Sequence, residues 1–232
     1  MVGIFLQARL DSTRLPRKIL LPLQEKTVIE HAMTALNNVD ADIRVLLTDH
    51  KSYSELRPYA ERCTFSVFAG PEDDVLKRYT MAARKYGVKT IVRATGDNPL
   101  VSPRLAKKIM EHHAEENADY SGYLGIPLGV GVEVVNAEGL FEAEREAKTM
   151  YEREHVCPFL YGHPERYTIS RPYVDEAIRF EDIHVTLDTE EDYSFLSILF
   201  RELYHGEPVE ISEIVPWLKQ YRYVQQYRHA LR

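Results

Sequence analysis

The stretch Gly3-Ile4-Phe5-Leu6-Gln7-Ala8-Arg9-Leu10-Asp11-Ser12-Thr13-Arg14-Leu15-Pro16-Arg17-Lys18 joins a short apolar run to a polar, strongly basic segment. The apolar part, Gly3–Ala8, has the length and hydrophobicity of a buried strand. Ligands of open parallel sheets bind at the carboxyl ends of the strands, so the basic segment stands where a ligand is expected. It contains four cations, Arg9, Arg14, Arg17 and Lys18.

The rest of the first half alternates β-branched runs with stretches of helical period. This pattern predicts an α/β fold, a Rossmann-like and mostly parallel sheet with helices on both faces. Ser102 and Pro103 predict the N-cap and first position of a further helix through Met110. The predicted strands are Gly3–Ala8, Ile43–Thr48, Thr64–Phe68 and Thr90–Ala94, and the predicted helices are Val28–Leu36, Ser52–Arg62 and Asp73–Tyr86.

The alternation breaks at Tyr120, beyond which glycines and a proline cluster. We expect one domain over residues 1–232, with an inserted α+β segment at residues 120–182. The elements predicted from there on are a strand at Val130–Val135, helices at Glu138–Lys148 and Arg153–Tyr161, a strand at Ile183–Leu187, a helix through Leu203 and a short helix near Ile211–Gln220.

The composition excludes several classes of protein. The 232 residues include 29 Lys plus Arg and 36 Asp plus Glu, a net charge of −7, which argues against a broad nucleic-acid-binding surface. No apolar run reaches the length of a membrane span. Cys63 and Cys157 stand far apart without CxxC spacing, which indicates neither a disulfide framework nor a zinc site. We expect a soluble, cytoplasmic protein.

The basic segment after the first strand suits a phosphate ligand. Arginine forks, backbone amides and a mobile lysine charge all bind phosphate oxygens. The sequence lacks GxxxxGK[ST] and GxGxxG, which disfavours P-loop and Rossmann dinucleotide enzymes. The alternative is a basic loop that is merely solvated.

Two acidic positions follow other predicted strands. Asp97, in Gly96-Asp97-Asn98-Pro99, is placed to ligate a Mg²⁺ ion that bridges phosphates, although the composition also fits a simple turn. Asp188 follows Ile183–Leu187, where it also fits a helix N-cap. A basic loop and two acidic strand ends at one sheet edge favour metal-assisted phosphoryl or nucleotidyl transfer.

Five motifs, in order over residues 2–205, resemble the cytidylyltransferase family. The most similar branch is that of the spore-coat polysaccharide biosynthesis nucleotidyltransferases, which are related to the CMP-sialate and CMP-3-deoxy-manno-octulosonate synthetases. The motifs are Gln7–Lys18, Glu72–Tyr79, Thr95–Val101, Arg153–Val156 and Thr186–Asp192.

The resemblance implies a nucleotide-diphospho-sugar transferase type of fold and a Mg²⁺-dependent reaction of CTP with a sugar acid, giving a CMP-sugar and pyrophosphate. It implies catalytic roles for Arg14, Lys18, Asp97 and Asp188, with Asp97 and Asp188 as the metal ligands. The implied nucleotide-binding residues are Gln7, Ala8, Arg9, Ser12, Arg14, Lys18, Arg78 and Gly96, and the implied substrate-binding residues are Glu133, Glu154 and His155.

Two positions depart from the family pattern. Gly131 stands where an acidic residue usually precedes Val-Glu-Val, and His184 stands where an arginine is expected. Arg78 has an alternative role as the partner of Asp74 in a surface ion pair, because the two lie four residues apart on a predicted helix. The inserted segment in relatives covers the sugar and forms a dimer, so we expect a homodimer. The alternative functions are a nucleotide-sugar-dependent glycosyltransferase and a nucleotide-binding homologue without activity.

Overall fold

The computed structural model describes residues 1–181 and 183–230. Nine strands lie within these residues: β1 (Val2–Gln7), β2 (Pro22–Leu23), β3 (Lys26–Thr27), β4 (Ile43–Asp49), β5 (Ser66–Gly70), β6 (Thr90–Thr95), β7 (Tyr120–Gly122), β8 (Glu133–Asn136) and β9 (Ile169–Ser170). Seven of them form one sheet in the order β5-β4-β1-β6-β8-β7-β9, and β2 and β3 form a separate hairpin. In the large sheet only β8 runs antiparallel to its neighbours.

Helices cover both faces of this sheet. The described helices are α1 (Val28–Leu36), α2 (Tyr53–Arg62), α3 (Val75–Tyr86), α4 (Pro103–Glu115), α5 (Ala137–Glu146), α6 (Met150–His155), α7 (Pro158–Tyr161), α8 (Glu190–Leu203) and α9 (Ile211–Ala230). The predicted α/β fold is confirmed. No helix in the described part of the chain is long and apolar enough to cross a membrane.

Strand β1 shows why the sheet forms. Ile4 and Leu6 pack in a core with α1, α2 and α4, whereas Phe5 packs on the opposite face with α3 and α5. A strand that buries both faces favours a parallel sheet with helices on each side. Helix α4 begins as predicted, because the Ser102 hydroxyl accepts a hydrogen bond from Leu105 N–H and Pro103 occupies the first turn.

The strand order places the ligand crevice. The chain runs from β1 outward to β4 and β5, and then crosses to β6 on the other side of β1. Ligands of open α/β sheets bind where the strand order reverses in this way. The loops that follow β1 and β6 flank this point, and they carry the basic segment and Asp97.

The predicted strand at Ile183–Leu187 is wrong. The segment is extended, but its only described strand-like contact is an isolated bridge from His184 to Leu128. Its backbone hydrogen bonds go to Leu128 and Asp97, which lie in loops and not in a sheet strand. The residues that follow Leu128 form no further strand pairing with this segment. The apolar run is therefore buried without joining the sheet.

Several predicted boundaries also change. The strand predicted at Val130–Val135 is Glu133–Asn136, the helix predicted at Arg153–Tyr161 is divided between α6 and α7, and the C-terminal helix continues to Ala230. The end of the segment at residues 120–182 lies outside the described residues. Its described part contributes β7, β8 and β9 to the main sheet. Its status as an insertion remains a prediction.

Candidate active site

One cavity of about 730 Å³ opens between the ends of β1 and β6, at the switch point where the strand order reverses. Every residue to which the sequence assigned a site role lines this cavity. The structure therefore brings together residues from six separate stretches of the chain, although their roles remain proposals. They are Gln7, Ala8, Arg9, Ser12, Arg14, Lys18, Arg78, Gly96, Asp97, Glu133, Glu154, His155 and Asp188.

Helix α2 holds the basic loop from outside the cavity. Leu10 N–H donates to the Ser52 hydroxyl at 3.1 Å, and that hydroxyl donates to the buried Asp49 carboxylate at 3.0 Å. Arg17 has a left-handed backbone, with φ of 59°, and its guanidinium pairs with Glu55 on α2. The arginine thus points away from the cavity, and the next residue, Lys18, points into it.

Lys18 joins the two candidate metal ligands. Its Nζ lies 2.7 Å from Asp97 Oδ2 and 2.7 Å from Asp188 Oδ1. The Arg14 guanidinium lies 3.1 Å from the same Asp188 oxygen. Lys18 is buried at 8% exposure, while both carboxylates are partly open to the cavity. Two acidic and two basic side chains therefore form one charge cluster.

Hydrogen bonds of the backbone fix the positions of Asp97 and Asp188 relative to each other. Leu187 N–H donates to the Asp97 carbonyl at 2.9 Å, so Asp188 reaches the site through a loop contact. Asp192 accepts hydrogen bonds from Asp188 N–H and from His184 Nε2. Burial raises the pKa of Asp192, but these hydrogen bonds outweigh it and leave the pKa below its ordinary value. His184 is an exposed partner of Asp192 and lies outside the cavity lining.

Two glycines permit close approaches around the cavity. A Cβ on Gly96 would lie 2.9 Å from the Ala8 Cβ, so glycine lets the loop after β6 pack against the end of β1. Gly129 has φ of 105°, and a Cβ there would lie 3.1 Å from the Thr186 backbone nitrogen. Both the backbone conformation and the space require glycine at position 129. Gly131 also lines the cavity.

Sequence reasoning missed a polar cluster at the other end of the cavity. Arg93 on β6 pairs with Glu133 on β8, and Tyr120 donates to the second Glu133 oxygen at 2.7 Å. Arg93 also donates to Gln7 Oε1 at 3.2 Å. Burial lowers the pKa of Arg93, but the Glu133 carboxylate outweighs it and raises the pKa. An arginine inside an otherwise apolar strand was the available signal, because such a charge needs a partner.

Arg78 does not pair with Asp74. Its buried guanidinium donates to the carbonyls of Pro71 and Glu72. Asp74 instead accepts from Lys77 N–H at the start of α3 and pairs with Arg153 at 3.0 Å. The alternative of an Asp74–Arg78 ion pair is therefore wrong, and Arg78 fixes the loop before α3 at the cavity wall.

Helix α6 faces the basic loop across the cavity. Glu154 lies 3.8 Å from Arg9, and the ring of His155 lies 4.5 Å from that of Tyr151. The helix ends at His155, and its C-cap Val156 has φ of 73° and ψ of −57°. Cys157 N–H donates to the His155 carbonyl across Val156. This is a γ-turn that is strained for a β-branched residue. Strain of this kind is found at functional sites, where the surrounding structure enforces it.

The basic loop and paired carboxylates at the switch point of this sheet are features of an α/β nucleotidyltransferase. The family model described as "Cytidylyltransferase" matches residues 4–227. The chain therefore belongs to the cytidylyltransferase family, and it is an enzyme of that class.

Individual relatives agree with this assignment. The spore coat polysaccharide biosynthesis protein SpsF of Bacillus subtilis (strain 168) is 32% identical over 222 residues, which cover 93% of this chain and 92% of that protein. A cytidylyltransferase from Leptospira borgpetersenii serovar Hardjo-bovis (strain JB197) has a TM-score of 0.87 and 26% identity, over 96% of this chain and 95% of that one.

Two more distant structures share the fold. A CMP:2-keto-3-deoxy-manno-octonic acid synthetase complexed with CTP has a TM-score of 0.70 and 13% identity, over 87% of this chain and 98% of that one. A Mycobacterium tuberculosis H37Rv protein complexed with manganese has a TM-score of 0.61 and 19% identity, over 85% of this chain and 97% of that one.

We expect Arg93→Met to lower the free energy of unfolding by about 3 kcal/mol, because it leaves the Glu133 carboxylate without its cation in a low-dielectric site. The double variant Arg93→Met/Glu133→Gln should recover a large part of that loss. Urea denaturation of the wild type, both single variants and the double variant measures the coupling. Additive single effects would contradict the pairing.

Proposed function

We propose that this enzyme transfers CMP from CTP to a sugar acid and releases pyrophosphate, in the biosynthesis of a surface polysaccharide or glycoconjugate. The observation that carries the proposal is the cluster of Lys18, Arg14, Asp97 and Asp188 at the cavity beside β1 and β6. The names of the spore-coat relative and the CTP-bound synthetase support the nucleotide and the pathway class. Membership of the cytidylyltransferase family disfavours the glycosyltransferase alternative.

The nucleotide lies across the end of β1 in this proposal. The backbone at Gln7 and Ala8 faces the base. Gly96 lets the loop after β6 pack close to the end of β1. Arg9, Arg14 and Lys18 neutralise the triphosphate, with the Ser12 hydroxyl as a further donor. Arg78 contributes by holding the loop at Pro71 and Glu72, to whose carbonyls it donates.

Asp97 and Asp188 fit a magnesium ion. Their carboxylate oxygens converge on one point, which Lys18 Nζ marks, and both are open to the cavity. Among the described residues no group of three or more His, Cys, Asp and Glu side chains is placed to hold a metal. Two carboxylates suffice for Mg²⁺, which completes its shell with water and substrate phosphates. Bound there, the ion would neutralise charge on the α-phosphate and the departing pyrophosphate.

The protein's own contribution to the reaction is positioning and charge neutralisation. Arg14 and Lys18 hold the phosphates so that an acceptor hydroxyl attacks the α-phosphorus in line. The acceptor hydroxyl loses its proton to solvent, its oxygen forms the ester bond to CMP, and the α–β phosphoanhydride bond breaks. Pyrophosphate leaves, and no covalent enzyme intermediate is formed.

The acceptor lies beside α6 and the Arg93–Glu133 pair in this proposal. Glu154 and His155 are exposed on α6 and line the cavity, Glu154 beside Arg9 and His155 against the ring of Tyr151. Glu133 is engaged by Arg93 and Tyr120, so it shapes this wall with its charge neutralised. Neutralisation of Glu133 removes a repulsion that the carboxylate of a sugar acid would otherwise meet.

We expect CTP with Mg²⁺ to bind more tightly than UTP, GTP or ATP. Arg14→Ala should weaken CTP binding at least about tenfold, since it removes a charge-assisted phosphate contact. Calorimetric titration of each nucleotide, with and without Mg²⁺, measures this. Arg17→Ala is the matched control, because Arg17 belongs to the same loop but pairs with Glu55, and it should bind like the wild type. Absence of triphosphate binding to the wild type would refute the proposal.

We expect turnover of CTP with a sugar acid to release pyrophosphate, and Asp97→Ala or Asp188→Ala to lower kcat at least about 100-fold by removing charge stabilisation. A coupled pyrophosphate assay with 3-deoxy-manno-octulosonate and N-acetylneuraminate as first acceptors measures this. Circular dichroism should show a native fold for both variants. Release of a nucleoside phosphate from a nucleotide sugar would instead support the glycosyltransferase alternative.

We also propose a homodimer that uses the segment from residue 120 onward. Leu124, Leu128 and Tyr173 are exposed apolar side chains that line one shallow depression of that segment. Sedimentation equilibrium at micromolar concentration should give twice the chain mass, and Leu128→Glu should shift the protein toward monomer. A wild-type monomer would contradict this.

The free cysteines Cys63 and Cys157 suit the cytoplasmic location that we expect.

A further inference from the structure

The charges of Arg14, Lys18, Asp97 and Asp188 are paired within one cluster. Lys18 Nζ contacts both carboxylates at 2.7 Å, and Arg14 adds a contact to Asp188 at 3.1 Å. These are the groups that the proposed function assigns separately to phosphate binding and metal binding. Within the cluster each set is the counterion of the other.

This arrangement opposes binding of a free divalent cation. A cation between Asp97 Oδ2 and Asp188 Oδ1 would meet the Lys18 ammonium at the same two oxygens. Like charges at such distances repel strongly, and the repulsion is larger at a site with restricted solvent. Lys18 is only 8% exposed, so it cannot move into water without losing the contacts that stabilise its charge.

A triphosphate changes this balance because it offers new anionic partners to the same cations. Its oxygens can draw Lys18 and Arg14 away from the carboxylates. The carboxylates are then left with unneutralised charge, which a divalent cation compensates. Cation affinity therefore depends on occupancy of the phosphate site.

We propose that Lys18, assisted by Arg14, is an internal counterion that closes the Asp97–Asp188 pair to free divalent cations and opens it when a triphosphate binds. The identity of the triphosphate rests on the proposed function, whereas the closing contact does not. Lys18 thereby couples the two ligands, and the coupling is reciprocal by thermodynamic linkage. The arrangement keeps a metal ion from binding unproductively in advance of the nucleotide.

Binding of Mn²⁺ to the nucleotide-free protein tests this directly, with electron paramagnetic resonance of unbound Mn²⁺ as the readout. Lys18→Gln should bind Mn²⁺ at least about fivefold more tightly than the wild type, the lower end of usual coupling between sites. Arg17→Gln is the matched control: it removes the same charge from the same loop, but its guanidinium pairs with Glu55, so it should match the wild type. Lys18→Gln/Asp97→Asn should lose the gain.

The outcomes separate this proposal from the proposed function. Equal Mn²⁺ affinity of folded Lys18→Gln and wild type, or an equal gain in Arg17→Gln, would overturn the counterion role whatever nucleotide binds. Failure of CTP to bind would refute the proposed function. The Mn²⁺ affinities of the wild type and Lys18→Gln would still decide whether Lys18 is the counterion. Thermal melts report whether Lys18→Gln folds. The exposed Arg14→Gln is the second variant, with a smaller expected gain because Arg14 contacts Asp188 alone.

Discussion

The contact of the Lys18 ammonium with Asp97 and Asp188 is the interaction on which the site depends. It joins residues that are 79 and 170 positions apart in the chain. Removal of water from charged groups is unfavourable unless they pair, so the three side chains are most stable together. The loop after β1, the loop after β6 and the segment before α8 consequently meet at one point.

The scaffold prepares this contact from both sides. On the side of the basic loop, the Ser52 hydroxyl at the start of α2 accepts a hydrogen bond from Leu10 N–H and holds the backbone ahead of Lys18, whereas the exposed Arg17–Glu55 pair adds little. On the acidic side, Leu187 N–H donates to the Asp97 carbonyl and fixes the backbone next to Asp188. None of these supporting groups needs to touch a ligand, yet each determines where a ligand-binding charge lies.

The two ends of the cavity differ in chemistry. The nucleotide end is rich in cations that are partly exposed, as Arg14 and Arg9 illustrate. At the wall beside β8, Arg93 is nearly enclosed and paired with Glu133, so that wall carries little net charge. This difference suits a reaction between a highly charged nucleotide and a less charged acceptor.

Local sequence patterns predicted the α/β fold and placed the ends of β1 and β6 to within one residue, because periodicity and helix caps depend on neighbouring residues. Strand-end motifs and the family resemblance pointed to 13 of the residues that line the cavity, but not to Arg93 or Tyr120. The sequence could not place residues 183–187, because an apolar run is equally well buried as a strand or as an extended loop segment against Leu128 and Asp97. Nor could it pair Arg93 with Glu133 or Asp74 with Arg153. Those partners are chosen by the distance between side chains, and only the tertiary structure sets that distance.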